Sequence, residues 1–198
     1  MKSLRITIIV LLLINISVDM KAQNKSNGIP GNRGIEHMGF TVPNLKEAVE
    51  FFENIIGAEF LYEIGPFASD DDWMKDHLNV HPRAKIHKAV MLKLANGANL
   101  EIFEYSAPNQ VRKQPLNSDF GGHHIAFYVE NMDEAVKYLK SNNVKINGEP
   151  MTMTEGPNAG MTWVYFLTPW GMQLELVSYE NGQGYEKTTD KRAFKPSK

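Results

Sequence analysis

The stretch GIEHMGFTVPNLKEAV at residues 34–49 has a similar second copy, GGHHIAFYVENMDEAV, at residues 121–136. This internal repeat decides the fold. His37 aligns with His124 without a gap. Each copy begins with apolar residues in alternation, turns at an asparagine and continues with apolar residues at helical spacing. The repeat therefore predicts that each half of the chain begins with a strand followed by a helix.

The two halves also end alike, with LEIFEY at residues 100–105 and LELVSY at residues 174–179. A further strand and a glycine-containing turn precede each of these segments, which is typical of antiparallel strand pairs. The order in each half is therefore strand, helix and three strands, which places the chain in the α+β class. Residues 66–85 have no counterpart in the second half and are interpreted as an insertion.

These patterns divide the chain into modules and connecting segments. We predict a first βαβββ module at 34–105, a linker at 106–119, a second βαβββ module at 120–180 and a polar C-terminal tail at 181–198.

The first residues have the layout of a secretory signal peptide. Lys2 and Arg5 precede an apolar run at 6–16, and the small residue Ala22 follows a short polar stretch. We expect a signal peptide at 1–22, cleavage near Ala22, a flexible leader at 23–33 and a periplasmic or secreted protein without a membrane segment in its mature form. An uncleaved anchor is the alternative, but the run is shorter than the roughly 20 residues that span a bilayer.

Composition excludes several classes of function. The formal net charge of −2 gives no large basic surface for nucleic acid or an anionic membrane. The chain has no cysteine, so disulfides, thiolate metal sites and thiol nucleophiles are excluded.

Strand alternation separates the two histidines from the apolar residues around them, because successive side chains point to opposite faces. Positions 38, 40 and 42 form an apolar face that can cover the helix, and His37 lies opposite. Positions 125, 127 and 129 do the same in the second half, and His124 lies opposite. The neighbouring His123 falls on the helix-covering face, so it is predicted to support a ligand or to be structural. The later Glu104 lies on the helix-covering face as well and is not a candidate ligand.

The same alternation places Glu101 and Glu175 on the faces away from the helices. A carboxylate inside an apolar strand is costly unless it is paired or bound to a cation. Two imidazoles and two carboxylates at equivalent positions of a repeat fit an N/O site for a divalent ion. A lone histidine would more often be structural and a lone glutamate would face water, so the matched positions favour a metal site.

These stretches resemble the vicinal oxygen chelate superfamily, which includes glyoxalase I, bleomycin-resistance proteins and extradiol dioxygenases. The resemblance covers about residues 34–180 and implies paired βαβββ modules that form a cupped, mostly antiparallel sheet around one divalent ion, either Zn, Ni, Co, Mn or Fe. It implies His37, Glu101, His124 and Glu175 as ligands, with Glu101 and Glu175 also acting as catalytic bases. The expected activity is that of a metal-dependent isomerase, epimerase or lyase, with proton transfer next to the carbonyl of a small hydroxy-carbonyl substrate.

Several aromatic residues are predicted to line the substrate pocket on the metal-facing sides, although core packing is an equal alternative for each. They are Phe103, Tyr105, Tyr128, Trp163 and Tyr179. The insertion is interpreted as a lid or a contact in a possible homodimer. Its three successive aspartates lack the spacing of a calcium loop.

Other functions remain open at this level. Export disfavours a glutathione or coenzyme A substrate, whereas the LNVHPRA and TEGPNAG stretches resemble a branch that contains epimerases of cyclitol ketones. An extradiol-type Fe(II) dioxygenase would need two histidines and one glutamate, so the fourth ligand argues against it. A non-catalytic drug-binding module is the remaining alternative, and such relatives typically lack the ligands that this chain keeps.

Overall fold

The computed structural model describes residues 28–95 and 97–196. Residues up to Gly34 belong to one unit, and Ile35–Lys198 form a second unit that contains every helix and strand given below. The predicted signal peptide and the first part of the leader lie outside the described residues, so export stays a prediction. Within the described ranges, no helix has both the length and the apolar character needed to cross a bilayer.

The first module contains four strands and a long helical segment between the first two. The strands are β1 (His37–Thr41), β2 (Glu59–Ile64), β3 (Lys85–Lys93) and β4 (Asn99–Ser106). Helix α1 (Leu45–Phe51) continues directly into a π-helical turn at Phe52–Ile56. A short helix, α2 (Trp73–Leu78), lies in the insertion between β2 and β3.

The second module repeats this order and confirms the α+β class with two βαβββ modules. Its strands are β5 (Ile125–Tyr128), β6 (Lys145–Thr152), β7 (Thr162–Leu167) and β8 (Gln173–Ser178), and its helix is α3 (Met132–Ser141). A 3₁₀ turn at Gly184–Lys187 follows β8.

The asparagine that follows each first strand caps the helix after it. The Asn44 side chain accepts a hydrogen bond from the backbone N–H of Glu47, and the Asn131 side chain accepts one from Glu134. An asparagine at this position satisfies a backbone donor that the first helical turn leaves free. The repeated asparagine is thus the local reason why both modules leave the strand and enter the helix at the same point.

Each module forms its own four-stranded sheet, with its last strand inserted beside its first. The orders are β1-β4-β3-β2 and β5-β8-β7-β6. The pairs β1/β4 and β5/β8 are parallel, whereas the remaining pairs are antiparallel. Gly39 is the register partner of Glu101, and Ala126 is the register partner of Glu175. The parallel pairs therefore bring the start of each module next to its closing glutamate.

The helix-covered sides of both sheets join in one hydrophobic core. Phe52 and Phe166, one from each module, are fully buried. Trp170, in the turn before β8, packs against Phe51 and Phe52 with ring centroids 5.9 and 6.2 Å apart. Because the apolar faces meet in this core, the opposite faces, which carry the histidines and glutamates, are turned away from it.

Candidate active site

His37 and Glu101 form the first polar pair on the face of the sheet that does not contact a helix. The His37 Nε2 lies 3.4 Å from Glu101 Oε2, and both side chains are partly exposed. Gly39 lies beside this carboxylate, and a Cβ at that position would come 3.7 Å from Glu101 Oε2. The small residue predicted to leave room next to the histidine is therefore beside the glutamate.

His124 and Glu175 form the equivalent pair in the second module. The His124 Nε2 lies 3.0 Å from Glu175 Oε2. His124 directly precedes β5 rather than lying within it, and Glu175 is one of the few buried polar residues, with 7% of its surface exposed. Burial raises the pKa of Glu175, and the neighbouring His124 opposes that rise. This carboxyl is therefore easier to protonate than one in water.

Each histidine ring is held through its other nitrogen. The His37 Nδ1–H donates to Glu36 Oε2 at 2.5 Å, and Glu36 also accepts from the side-chain amide of Asn99 at 2.8 Å. This hydrogen bond raises the pKa of His37. The His124 Nδ1–H donates to Asn117 Oδ1 at 3.2 Å. Both rings consequently direct Nε2 towards a glutamate.

The arrangement fits a bound divalent cation. With the proton on Nδ1, the Nε2 of a neutral imidazole is an acceptor, and it faces a carboxylate oxygen that is also an acceptor. Two acceptors attract each other only when a proton or a cation lies between them. Imidazole nitrogen and carboxylate oxygen are ligands for borderline divalent ions, and a ligating histidine usually donates its other N–H to an acceptor of this kind.

The structure brings the four predicted ligands together as two pairs and not as one group. Across residues 28–95 and 97–196, no cluster of three or more His, Cys, Asp or Glu side chains could hold a metal ion. One chain therefore presents two half-sites, His37 with Glu101 and His124 with Glu175. The prediction that all four bind a single ion depends on how these half-sites are joined.

The predicted pocket aromatics lie on the same faces as the half-sites. In the first module, Phe103 and Tyr105 pack 5.3 Å apart, and burial together with the nearby Glu101 raises the pKa of Tyr105. In the second module, Trp163 packs 5.1 Å from Tyr165, and the Tyr165 ring contacts His124 at 5.2 Å. Contact of Phe103, Tyr105 and Trp163 with a substrate stays a prediction.

Tyr128 and Tyr179 meet edge to face at 5.0 Å, further along the second sheet. The C-terminal tail covers this pair, because Lys195 Nζ lies 4.7 Å from the centre of the Tyr128 ring. Burial raises the pKa of Tyr179. The two tyrosines therefore already have a partner within the chain, and their contact with a substrate also stays a prediction.

The two residues rejected on strand alternation have structural partners. Glu104 Oε2 accepts a hydrogen bond of 2.8 Å from the backbone N–H of Leu45, at the start of α1. The His123 Nδ1–H donates to the carbonyl of Gly121 at 2.9 Å within the preceding turn. The first contact joins β4 to the start of α1 and the second lies within a turn, which agrees with a structural role for both residues.

Two residues that sequence reasoning missed complete the half-sites. Glu36 precedes His37, and alternation assigns it to the opposite face of the strand, so nothing in the pattern indicates contact with the ring. Asn117 lies in the predicted linker, where no periodicity relates it to His124. The linker therefore has a local function beyond connecting the modules, since it orients His124.

Comparison with known proteins identifies related families and structures. The family model described as Glyoxalase/Bleomycin resistance protein/Dioxygenase superfamily matches residues 34–176. A 2-epi-5-epi-valiolone epimerase from Actinomyces sp is 48% identical over 170 residues, which cover 85% of this chain and 92% of that protein. The match to an epimerase over most of both chains confirms the expectation of an enzyme and supports the isomerase or epimerase type.

Solved structures show the same fold at low sequence identity. A glyoxalase family protein from Bacillus cereus has a TM-score of 0.56 at 20% identity, and the match covers 76% of this chain and 98% of that one. A glyoxylase/bleomycin resistance protein/dioxygenase domain from Frankia sp. EAN1pec has a TM-score of 0.52 at 15% identity, covering 74% of this chain and 98% of that one. Both likenesses concern the fold alone.

The two glutamates of β4 should respond differently to truncation. Glu104→Ala removes an acceptor from the first turn of α1 and should lower the free energy of unfolding by about 0.5–2 kcal/mol. Glu101→Ala should change it by less than about 0.5 kcal/mol, because that carboxylate is partly exposed and has no such backbone partner. Urea titrations at one fixed protein concentration measure both values. An equal loss in the two variants would make Glu101 a structural residue.

Proposed function

We propose a metal-dependent epimerase activity for this chain, which belongs to the Glyoxalase/Bleomycin resistance protein/Dioxygenase superfamily. The substrate is a small cyclic hydroxy-ketone of the kind named for the Actinomyces relative, 2-epi-5-epi-valiolone. The observation that carries the proposal is the repeated half-site, in which an oriented imidazole Nε2 faces a carboxylate oxygen in both modules.

His37, Glu101, His124 and Glu175 would hold the divalent ion in this proposal. When bound, such an ion supplies Lewis-acid polarisation of a carbonyl, which makes the neighbouring C–H bond more acidic. Glu36 and Asn117 fix the tautomer and the direction of the two rings, so Nε2 is free for the ion. The residues present in the chain therefore fit the cofactor that the superfamily implies.

The proton transfer itself belongs to the glutamates. An ionised carboxylate removes the proton from the carbon next to the carbonyl, and the electron pair of that C–H bond moves towards the carbonyl oxygen. Epimerisation is complete when a proton is delivered to the opposite face of the same carbon and the carbonyl is restored. Glu101 and Glu175, which come from different half-sites, can serve the two faces. The raised pKa of Glu175 suits a group that holds a proton during part of this cycle.

A second copy of the chain completes the site in this proposal. The shared core directs both half-sites of one chain away from it, and each half-site supplies only one nitrogen and one carboxylate ligand. The edge strand β2 exposes a row of apolar side chains, namely Phe60, Leu61, Tyr62 and Ile64. Exposed apolar rows on a sheet edge are typical of contact surfaces. A two-fold dimer that joins the first half-site of one copy to the second half-site of the other forms two equal sites.

The epimerase proposal predicts exchange of one carbon-bound proton with solvent. The protein reconstituted with Zn, Ni, Co, Mn or Fe and given 2-epi-5-epi-valiolone in D₂O should introduce deuterium next to the carbonyl, as measured by NMR. Glu175→Gln should lower kcat by roughly 10²- to 10⁴-fold, because the amide cannot accept the proton. Removal of the metal with a chelator should abolish exchange, and adding the ion back should restore it.

Glu104→Gln is the matched control, since its amide oxygen can still accept from Leu45, and it should exchange at the wild-type rate. If Glu175→Gln exchanges at the full rate, Glu175 is not the catalytic base. If the metal-free protein exchanges at the full rate, the reaction does not need a metal cofactor. Oxygen-dependent ring cleavage would instead identify a dioxygenase, and binding without exchange would identify a binding module.

The dimeric site predicts complementation between two inactive variants. One variant carries His37→Ala with Glu101→Ala, and the other carries His124→Ala with Glu175→Ala. In a mixed dimer, one site lacks all four ligands and the other is intact, so random pairing should return about a quarter of wild-type activity. Co-expression followed by the exchange assay measures it. If the mixture is as inactive as each variant alone, the site lies within one chain. If either variant is active alone, two copies of the same half-site form the site across the dimer.

A further inference from the structure

The insertion between β2 and β3 forms one wall of a hollow beside the first half-site. The hollow has a volume of about 500 Å³, which is within the range of small-molecule sites. Glu101, Phe103 and Tyr105 of β4 line it from the sheet. Phe67, Trp73 and Leu78 line it from the insertion. The wall is therefore aromatic and apolar, whereas a proposed catalytic carboxylate lies on the sheet side.

The wall has a hydrophobic anchor of its own. Met74, the residue after Trp73, is fully buried in a small cluster with Ala84, Ile86 and Ala89. This cluster is separate from the main core and lies under the insertion. The position of α2, and with it that of Trp73, is therefore supported by packing against β3.

Hydrogen bonds fix the loop that leads into α2. The Arg83 guanidinium donates to the backbone carbonyls of Ser69, Asp70 and Asp71 at 3.2, 2.5 and 2.7 Å. The Asp71 side chain accepts from the backbone N–H of Trp73 at 2.9 Å. These bonds order the loop that carries Trp73. Whether the insertion acts as a lid or as a dimer contact stays a prediction.

Trp73 is held on two sides by aromatic rings. Its indole stacks on the His77 ring with centroids 4.7 Å apart and an angle of 14° between the planes. Phe67 meets it edge to face at 5.1 Å. Even so, 38% of the Trp73 surface stays exposed. An indole that is fixed in place and partly open to a hollow offers a rigid apolar surface to a ligand.

We propose that Trp73 is a specificity-determining residue that stacks on the C–H face of a ring-shaped polyol ketone, with the reacting carbon directed towards Glu101. This inference rests on the proposed epimerase function. A saturated ring carries its hydroxyl groups around its edge and presents C–H groups on its faces, which match the electron-rich face of an aromatic ring. An open-chain hydroxy-ketone has no comparable flat apolar face. The insertion therefore selects ring-shaped substrates.

Steady-state kinetics with 2-epi-5-epi-valiolone test this assignment. Trp73→Ala should raise KM roughly 3- to 10-fold, because one aromatic contact with the substrate is lost, and it should change kcat little. Trp73→Phe should recover most of the loss, because it restores an aromatic face. Tyr138→Ala is the control, since it removes a partly exposed aromatic side chain on α3 that does not line the hollow and does not belong to the β2 contact surface. An unchanged KM in Trp73→Ala would overturn the inference.

Two further measurements separate this inference from the proposed function. Calorimetric binding of the same ketone to the metal-free protein should be weaker for Trp73→Ala than for wild type, whether or not the protein turns the ketone over. If the protein binds the ketone in a Trp73-dependent way but has no epimerase activity, the role of Trp73 in binding stands and the proposed epimerase function is wrong. Light scattering should give the same mass for both proteins, and a smaller mass for Trp73→Ala would make the indole a dimer contact and overturn the inference.

Discussion

The parallel pairing of the last strand of each module with its first is the constraint on which the site depends. It places β4 beside β1 and β8 beside β5, so a histidine near the start of a module meets a glutamate near its end. Without this pairing the two residues would be separated by a helix and two strands. The duplication then produces the pair twice, which explains why both half-sites have the same chemistry.

Much of this arrangement follows from sequence periodicity. Strand alternation selects His124 over His123 and Glu101 over Glu104, and in the structure each of the other two residues hydrogen-bonds a backbone group. The asparagine caps follow from the repeat in the same way. These features are predictable because they depend on local backbone geometry, which a repeated motif shows twice.

Contacts made by irregular segments could not be derived from periodicity. The bond from Asn117 to His124 depends on the path of an irregular linker, and Arg83 holds the insertion through backbone carbonyls that carry no sequence signal. The arrangement of the modules was also not evident. The pattern of apolar faces is the same whether the half-sites meet inside one chain or face outwards around a shared core. Packing between the modules, by residues such as Trp170, decides between these two arrangements.

We propose that one divalent ion is held by a first half-site and a second half-site together. X-ray absorption spectroscopy of the dimeric protein loaded with one ion per chain counts the imidazole rings around the metal directly. Two imidazole nitrogens per ion are expected, with oxygens as the remaining ligands, and His37→Ala should lose one of the two nitrogens. A single imidazole in the wild-type protein would mean that the half-sites act separately, and a shell without imidazole would contradict the metal site itself.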